Sequence, residues 1–135
     1  MIKIIKPGLY STIQDKGRVG IQSYGVPYSG SMDSFSSDLA NKILNNSEDA
    51  AVIEITMVGP VLEFNNETVI SITGANLSPL LNNKIIKMYE PVIIKANDLL
   101  SFGGLKSGLR AYIAILGGFK TEKVYGSRSM FKNFT

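Results

Sequence analysis

Apolar residues in this sequence come in short runs or in strict alternation. Nearly every run is cut within a few residues by a turn pair such as Pro7-Gly8, Asn65-Asn66, Asn82-Asn83, Gly103-Gly104 or Gly117-Gly118. That pattern suits short strands joined by tight turns, because period two matches a pleated strand and Gly and Asn accept the positive φ that tight turns require. Strands are expected at residues 2–5, 10–14, 51–57, 60–64, 68–73, 92–95, 98–102 and 109–116. A Leu80-Leu81 and Ile85-Ile86 hairpin should turn on Asn82-Asn83. With 135 residues, 44% of them apolar and 19% charged, the chain has the composition of one ordered domain with a real core. About eight short strands and no βαβ unit favour a closed or nearly closed β-barrel over an open doubly wound sheet.

One stretch breaks the pattern. Met32, Phe35, Leu39, Ile43 and Leu44 fall on a helical stripe, while Ser34, Ser37, Asp38, Asn41 and Lys42 face away, which predicts a single helix with its apolar stripe inward. Ser31 can cap it, Asp33 suits its first turn, and Asn45-Asn46 suit its end. The segment before it, 15–31, carries Gly17, Gly20, Gly25, Pro27 and Gly30 and few apolar residues. A loop of that length in a small domain either has a function or packs on itself.

The sequence contains no histidine and no cysteine. That excludes imidazole bases, thiolate nucleophiles, disulfides and Cys/His metal sites from this chain, and no metal site is expected. Chemistry is left to carboxylates, guanidiniums, amides, hydroxyls and backbone groups. The net charge is +3, but the eleven lysines are scattered and aromatics do not interleave with them, so neither duplex nor single-stranded nucleic acid is expected as a partner. No apolar run approaches a membrane span and the first residues are too short for a signal segment, so a cytoplasmic protein without a membrane partner is expected.

Polar groups concentrate around the long loop. Gln14 and Arg18 are candidates for binding substrate, and the backbone from Ser29 through Gly30 and Ser31 to Asp33 could cradle an anion at the helix start. Asp15 either pairs with Arg18 or handles a proton, and Asp33 either caps the helix or does the same. Glu54, between Ile53 and Ile55, must face away from those two, into solvent or into the barrel mouth. Arg110 shares a strand face with Tyr112 and could meet Glu54 or a substrate anion. Arg128, in Gly126-Ser127-Arg128-Ser129, is a further anion contact or a plain surface residue.

Taken in order, Lys6-Pro7-Gly8-Leu9, Thr12-Ile13-Gln14-Asp15-Lys16-Gly17-Arg18, Gly25-Val26-Pro27-Tyr28-Ser29-Gly30-Ser31-Met32-Asp33, Ile53-Glu54-Ile55-Thr56, Thr73-Gly74-Ala75, Arg110-Ala111-Tyr112 and Gly126-Ser127-Arg128-Ser129 closely resemble the biotin-dependent carboxyltransferase family. This family is also called allophanate hydrolase subunit 2 or the Kip antagonist family. The resemblance implies a mainly β, cyclophilin-like barrel with one α-helix after the glycine-rich loop. It implies a component of a bacterial ATP-dependent 5-oxoprolinase, which hydrolyses a lactam, or of a urea carboxylase-type carboxyltransferase. A regulatory module that antagonises a kinase-inhibitor protein of related fold is the alternative, with Tyr24, Tyr28, Met130, Phe131 and Phe134 as its surface. The implied partner is a companion subunit of the allophanate hydrolase subunit 1 or Kip inhibitor family, and the implied substrate a small anion or amide.

Under the enzymatic reading Asp15, Asp33 or Glu54 would handle protons. Gln14, Arg18, Ser29, Gly30, Ser31, Arg110, Tyr112 and Arg128 would hold the substrate. ATP or carboxybiotin would belong to the full complex, with no cofactor assigned to this domain. The resemblance also leads one to expect residues 1–135 to be the amino-terminal barrel of a longer two-domain subunit whose second domain is absent here, and the isolated domain to be inactive. The family commonly carries Ala where Ser31 stands.

Overall fold

A computed structural model describes residues 2–6, 8, 12–14, 34–47, 49–119 and 124–126. Its strands are β1 (Ile2–Lys6), β2 (Thr12–Gln14), β3 (Val52–Thr56), β4 (Val61–Phe64), β5 (Thr68–Asn76), β6 (Pro79–Leu81), β7 (Lys84–Ile85), β8 (Val92–Ile94), β9 (Leu99–Phe102), β10 (Ser107–Ile115) and β11 (Val124–Gly126), with one helix, α1 (Ser34–Ile43), between β2 and β3. The expected mainly β class with a single helix is what the described residues show. The strands hydrogen-bond in two sheets, in the orders β11-β1-β4-β9-β6-β7 and β2-β3-β10-β5-β8. All pairings are antiparallel except β1 with β11. Most expected strands lie within a residue or two of their observed bounds. The one extra strand is β11, whose three residues carry too little period to be read from sequence.

One core lies between the sheets. Ile53 and Ile55 of β3, Ile70 and Ile72 of β5 and Ala111 and Ile113 of β10 pack with Ile2 and Ile4 of β1, Leu62 and Phe64 of β4 and Leu100 of β9, all buried. Alternation then sends Val52, Tyr112 and Ala114 to the opposite face of the second sheet, where they meet Ala40 of α1 and Leu44 just beyond it. The β6–β7 hairpin turns as expected on Asn82 and Asn83, at φ 52° and 67°. Asn82 ties it to the neighbouring strand: its side chain accepts from the Leu99 amide (2.9 Å) and donates to Asp98 (2.9 Å).

The face that the helix turns inward is only partly the one its apolar residues mark. Leu44 is buried and Ile43 packs beside it as expected, but Phe35 is 76% exposed, and Ser36, Ser37, Ala40 and Asn41 are buried. The sheet beneath explains this. Thr73 Oγ1 donates to the Ser36 carbonyl (2.7 Å) and Ser71 Oγ to the Ala40 carbonyl (2.6 Å). Asn41 Nδ2 donates to the Ala50 carbonyl (2.9 Å). A seat made of hydroxyls selects the small, polar face of a helix, because only that face lets the backbone come within hydrogen-bond reach and leaves no buried polar atom unpaired. Thr73→Val keeps the shape of that seat and removes one donor. As a helical carbonyl, that of Ser36 retains its own i→i+4 bond, so thermal or urea unfolding is expected to show a loss of only ~1 kcal/mol.

Candidate active site

Strands β5 and β10 run in register from Ile70 opposite Ile115 to Gly74 opposite Ala111, and the next paired residues are Asn76 and Ser107. Gly108, Leu109 and Arg110 therefore stand against Ala75 alone, an irregular bulge of the kind that re-aims side chains beside active sites. Two glycines permit it. Gly108 sits at φ +79°, and a Cβ there would lie 2.9 Å from Ala75 Cα; Gly74 sits at φ +88°, and a Cβ there would lie 2.5 Å from the Arg110 carbonyl oxygen. An isolated glycine within a strand pattern, as in Thr73-Gly74-Ala75, is the sequence signal for such a bulge.

The bulge opens a cleft of about 380 Å³ whose lining includes Ser36, Gly74, Tyr89, Ser107, Gly108 and Arg110. Arg110 is half-buried there, and among the described residues it has no ion-pair partner. A guanidinium beside hydroxyls and backbone amides in a concave site is equipped to take a planar carboxylate through paired N–H donors. Of the expected site residues, Arg110 is the one described in the cleft. Tyr89, Ser36 and Ser107 escape a reading from sequence, because the topology that brings them to Arg110 is not local.

Glu54 and Tyr112 form a second polar feature. They are directly paired across β3 and β10, and Tyr112 Oη donates to Glu54 Oε2 at 2.7 Å. Glu54 is 7% exposed and Tyr112 fully buried. The expectation that Glu54 faces solvent or the barrel mouth is thus corrected: its face of the sheet lies under α1. Its described partner is Tyr112 and not Arg110, which lies opposite Thr56. Neither Glu54 nor Tyr112 lines the cleft. Thr12 of β2 is opposite Glu54, and Gln14 is opposite Val52. Asp15, Arg18, Ser29, Gly30, Ser31, Asp33 and Arg128 lie outside the described residues, as do Tyr24, Tyr28, Met130, Phe131 and Phe134.

The fold and the sequence both point to the carboxyltransferase domain family. The chain belongs to that family: the model for the carboxyltransferase domain, subdomain A and B, matches residues 24–134. Over 130 residues it is 44% identical to a urea amidolyase of Lachancea kluyveri, covering 96% of this chain and 7% of that protein. Over 129 residues it is 32% identical to a 5-oxoprolinase subunit of Escherichia coli, covering 96% of this chain and 42% of that protein. The crystal structure of Kluyveromyces lactis urea carboxylase matches with a TM-score of 0.79 at 42% identity, over 87% of this chain and 10% of that one. The chain thus spans less than half the length of each of these relatives.

Proposed function

We propose that this chain is part of a carboxyltransferase of the urea carboxylase type, in which the Arg110 cleft holds the carboxyl group in transit. The observation that carries the choice is the identity gap: 44% to urea amidolyase against 32% to the 5-oxoprolinase relative, over nearly the same stretch of chain. The cleft is compatible with it. Its volume lies in the range of small-molecule sites, and the Arg110 guanidinium with flanking hydroxyls suits a planar carboxylate and the negative charge that develops on it during transfer. Carboxybiotin, when bound, supplies that carboxyl group to a urea nitrogen. Arg110 orients the carboxylate and offsets its charge, and Ser36 and Ser107 offer hydroxyls along the wall. The working unit on this reading includes a companion subunit or domain of related fold.

The test is Arg110→Ala in the complete polypeptide that carries this sequence, read as urea-dependent ATP turnover. Loss of one charged donor in such a site is expected to lower kcat about 10²-fold. Arg110→Lys should recover little, because a point charge does not replace a planar pair of donors. Unchanged turnover in both variants removes the cleft from the mechanism. Turnover driven by 5-oxoproline and not by urea assigns the chain to lactam hydrolysis instead.

A further inference from the structure

We infer that Tyr89 is a positioning residue: its hydroxyl holds the Gly74 peptide groups against which the bulge carrying Arg110 is set. The inference rests on the cleft as the site of carboxyl transfer, and it concerns how that cleft is kept in shape.

The register of the ladder explains the need for it. The Leu116 amide donates to the Val69 carbonyl (2.9 Å), which makes residues 69 and 116 a hydrogen-bonded pair in the run that continues to Gly74 opposite Ala111. Hydrogen-bonded and non-hydrogen-bonded pairs alternate along an antiparallel ladder, so Gly74 with Ala111 is a non-hydrogen-bonded pair. The N–H and C=O of Gly74 therefore point away from β10, towards the side that β8 covers. But β8 pairs with β5 only from Thr68 to Ile70. Beyond it the Tyr89 amide reaches the Ile72 carbonyl (2.8 Å), and among the described residues no further backbone group bonds to Gly74 on that side.

Tyr89 Oη does so instead. It accepts from the Gly74 amide at 3.0 Å and donates to the Gly74 carbonyl at 3.1 Å, so one phenol stands in for the missing strand residue. On its other side Gly74 packs directly on the Arg110 carbonyl, where there is no room for a Cβ. The path from the Tyr89 hydroxyl to the Arg110 backbone thus runs through one residue. Tyr89 meets an unfavourable backbone condition to do this, since it sits at φ +63°, a region in which a bulky side chain is rare. It is also 51% exposed, so burial of the ring does not account for its placement. Strain held at the wall of a cleft by a specific pair of hydrogen bonds points to a role in that cleft.

The test compares Tyr89→Phe with the parent in the complete polypeptide, because the change keeps the ring and removes the hydroxyl. Amide hydrogen exchange is expected to accelerate about tenfold or more at Gly74 and also at residues 108–110, as two hydrogen bonds of ordinary strength are lost. In urea-dependent turnover, kcat should fall about tenfold while KM changes little, since a misplaced group weakens the transition state more than ground-state binding. Added to Arg110→Ala, Tyr89→Phe should lower kcat no further. Exchange that accelerates at Gly74 alone, or a kcat loss that multiplies with that of Arg110→Ala, overturns the inference. If Arg110→Ala is itself without effect, the carboxyl-transfer reading fails, and exchange at residues 108–110 still decides whether Tyr89 holds the bulge.

Discussion

Tyr112→Ala is expected to leave the chain without a cooperative unfolding transition, whereas Tyr112→Phe should fold and lose only part of its stability. Tyr112 is fully buried between α1 and the second sheet. Truncating a buried aromatic ring costs about 3–5 kcal/mol through lost burial and the cavity left behind. The same truncation takes the 2.7 Å donor from a carboxylate that is itself almost wholly buried, which adds roughly 1–3 kcal/mol. Against a total stability of about 5–15 kcal/mol for a domain, the sum is decisive. Tyr112→Phe isolates the second contribution, so its unfolding midpoint in urea should fall by an amount matching roughly 1–3 kcal/mol. If Tyr112→Phe is as damaging as Tyr112→Ala, the hydroxyl to Glu54 dominates over the ring; if it is neutral, Glu54 is satisfied without it.

Gly74→Ala carries the second large effect, and it acts on the site as well as the fold. A residue with a side chain at φ +88° is strained, and the new Cβ would stand 2.5 Å from the Arg110 carbonyl oxygen, a backbone atom that cannot rotate away. Strain and overpacking together cost roughly 2–6 kcal/mol. The structure can lessen this only by moving the strand that bears Arg110, so the surviving folded fraction should show weakened turnover as well as a lowered melting temperature. The exposed Gly117 is the control. It has a similar φ of +84° but open space where a Cβ would go, so Gly117→Ala should show the smaller penalty of backbone strain alone. Equal losses at the two positions would mean that the contact with Arg110 contributes nothing.

Much of the fold was legible because its signals are local. The Asn82-Asn83 hairpin, the strand runs and the position of the helix follow from turn chemistry and period alone. What was not legible depends on a neighbour distant in the chain. Hydrophobic periodicity assumes an apolar seat, so it placed Phe35 inward and Ser37 and Asn41 outward, and the hydroxyls of Ser71 and Thr73 reversed that choice. The burial of Glu54 needed the same covering helix. Of the candidate site, Arg110 could be named from its strand, but Tyr89 reaches the cleft through a hydroxyl bond to a backbone fifteen residues away. No pattern in the sequence marks that contact.

The pairing of β1 with β11 also orders events in time. In its sheet β1 lies between β4 and β11, and its parallel partner comes from a segment distant in the sequence, with Ile2 beside Val124. Pairing between such distant segments is slow, because the entropy of closing so large a loop is lost before the contact forms. During synthesis β1 can take β4 as a neighbour early, but the edge that β11 covers stays unpaired until β11 itself has left the ribosome. Over that interval β1 presents an open strand edge to any other chain in reach, so assembly of this sheet is sensitive to crowding of nascent copies.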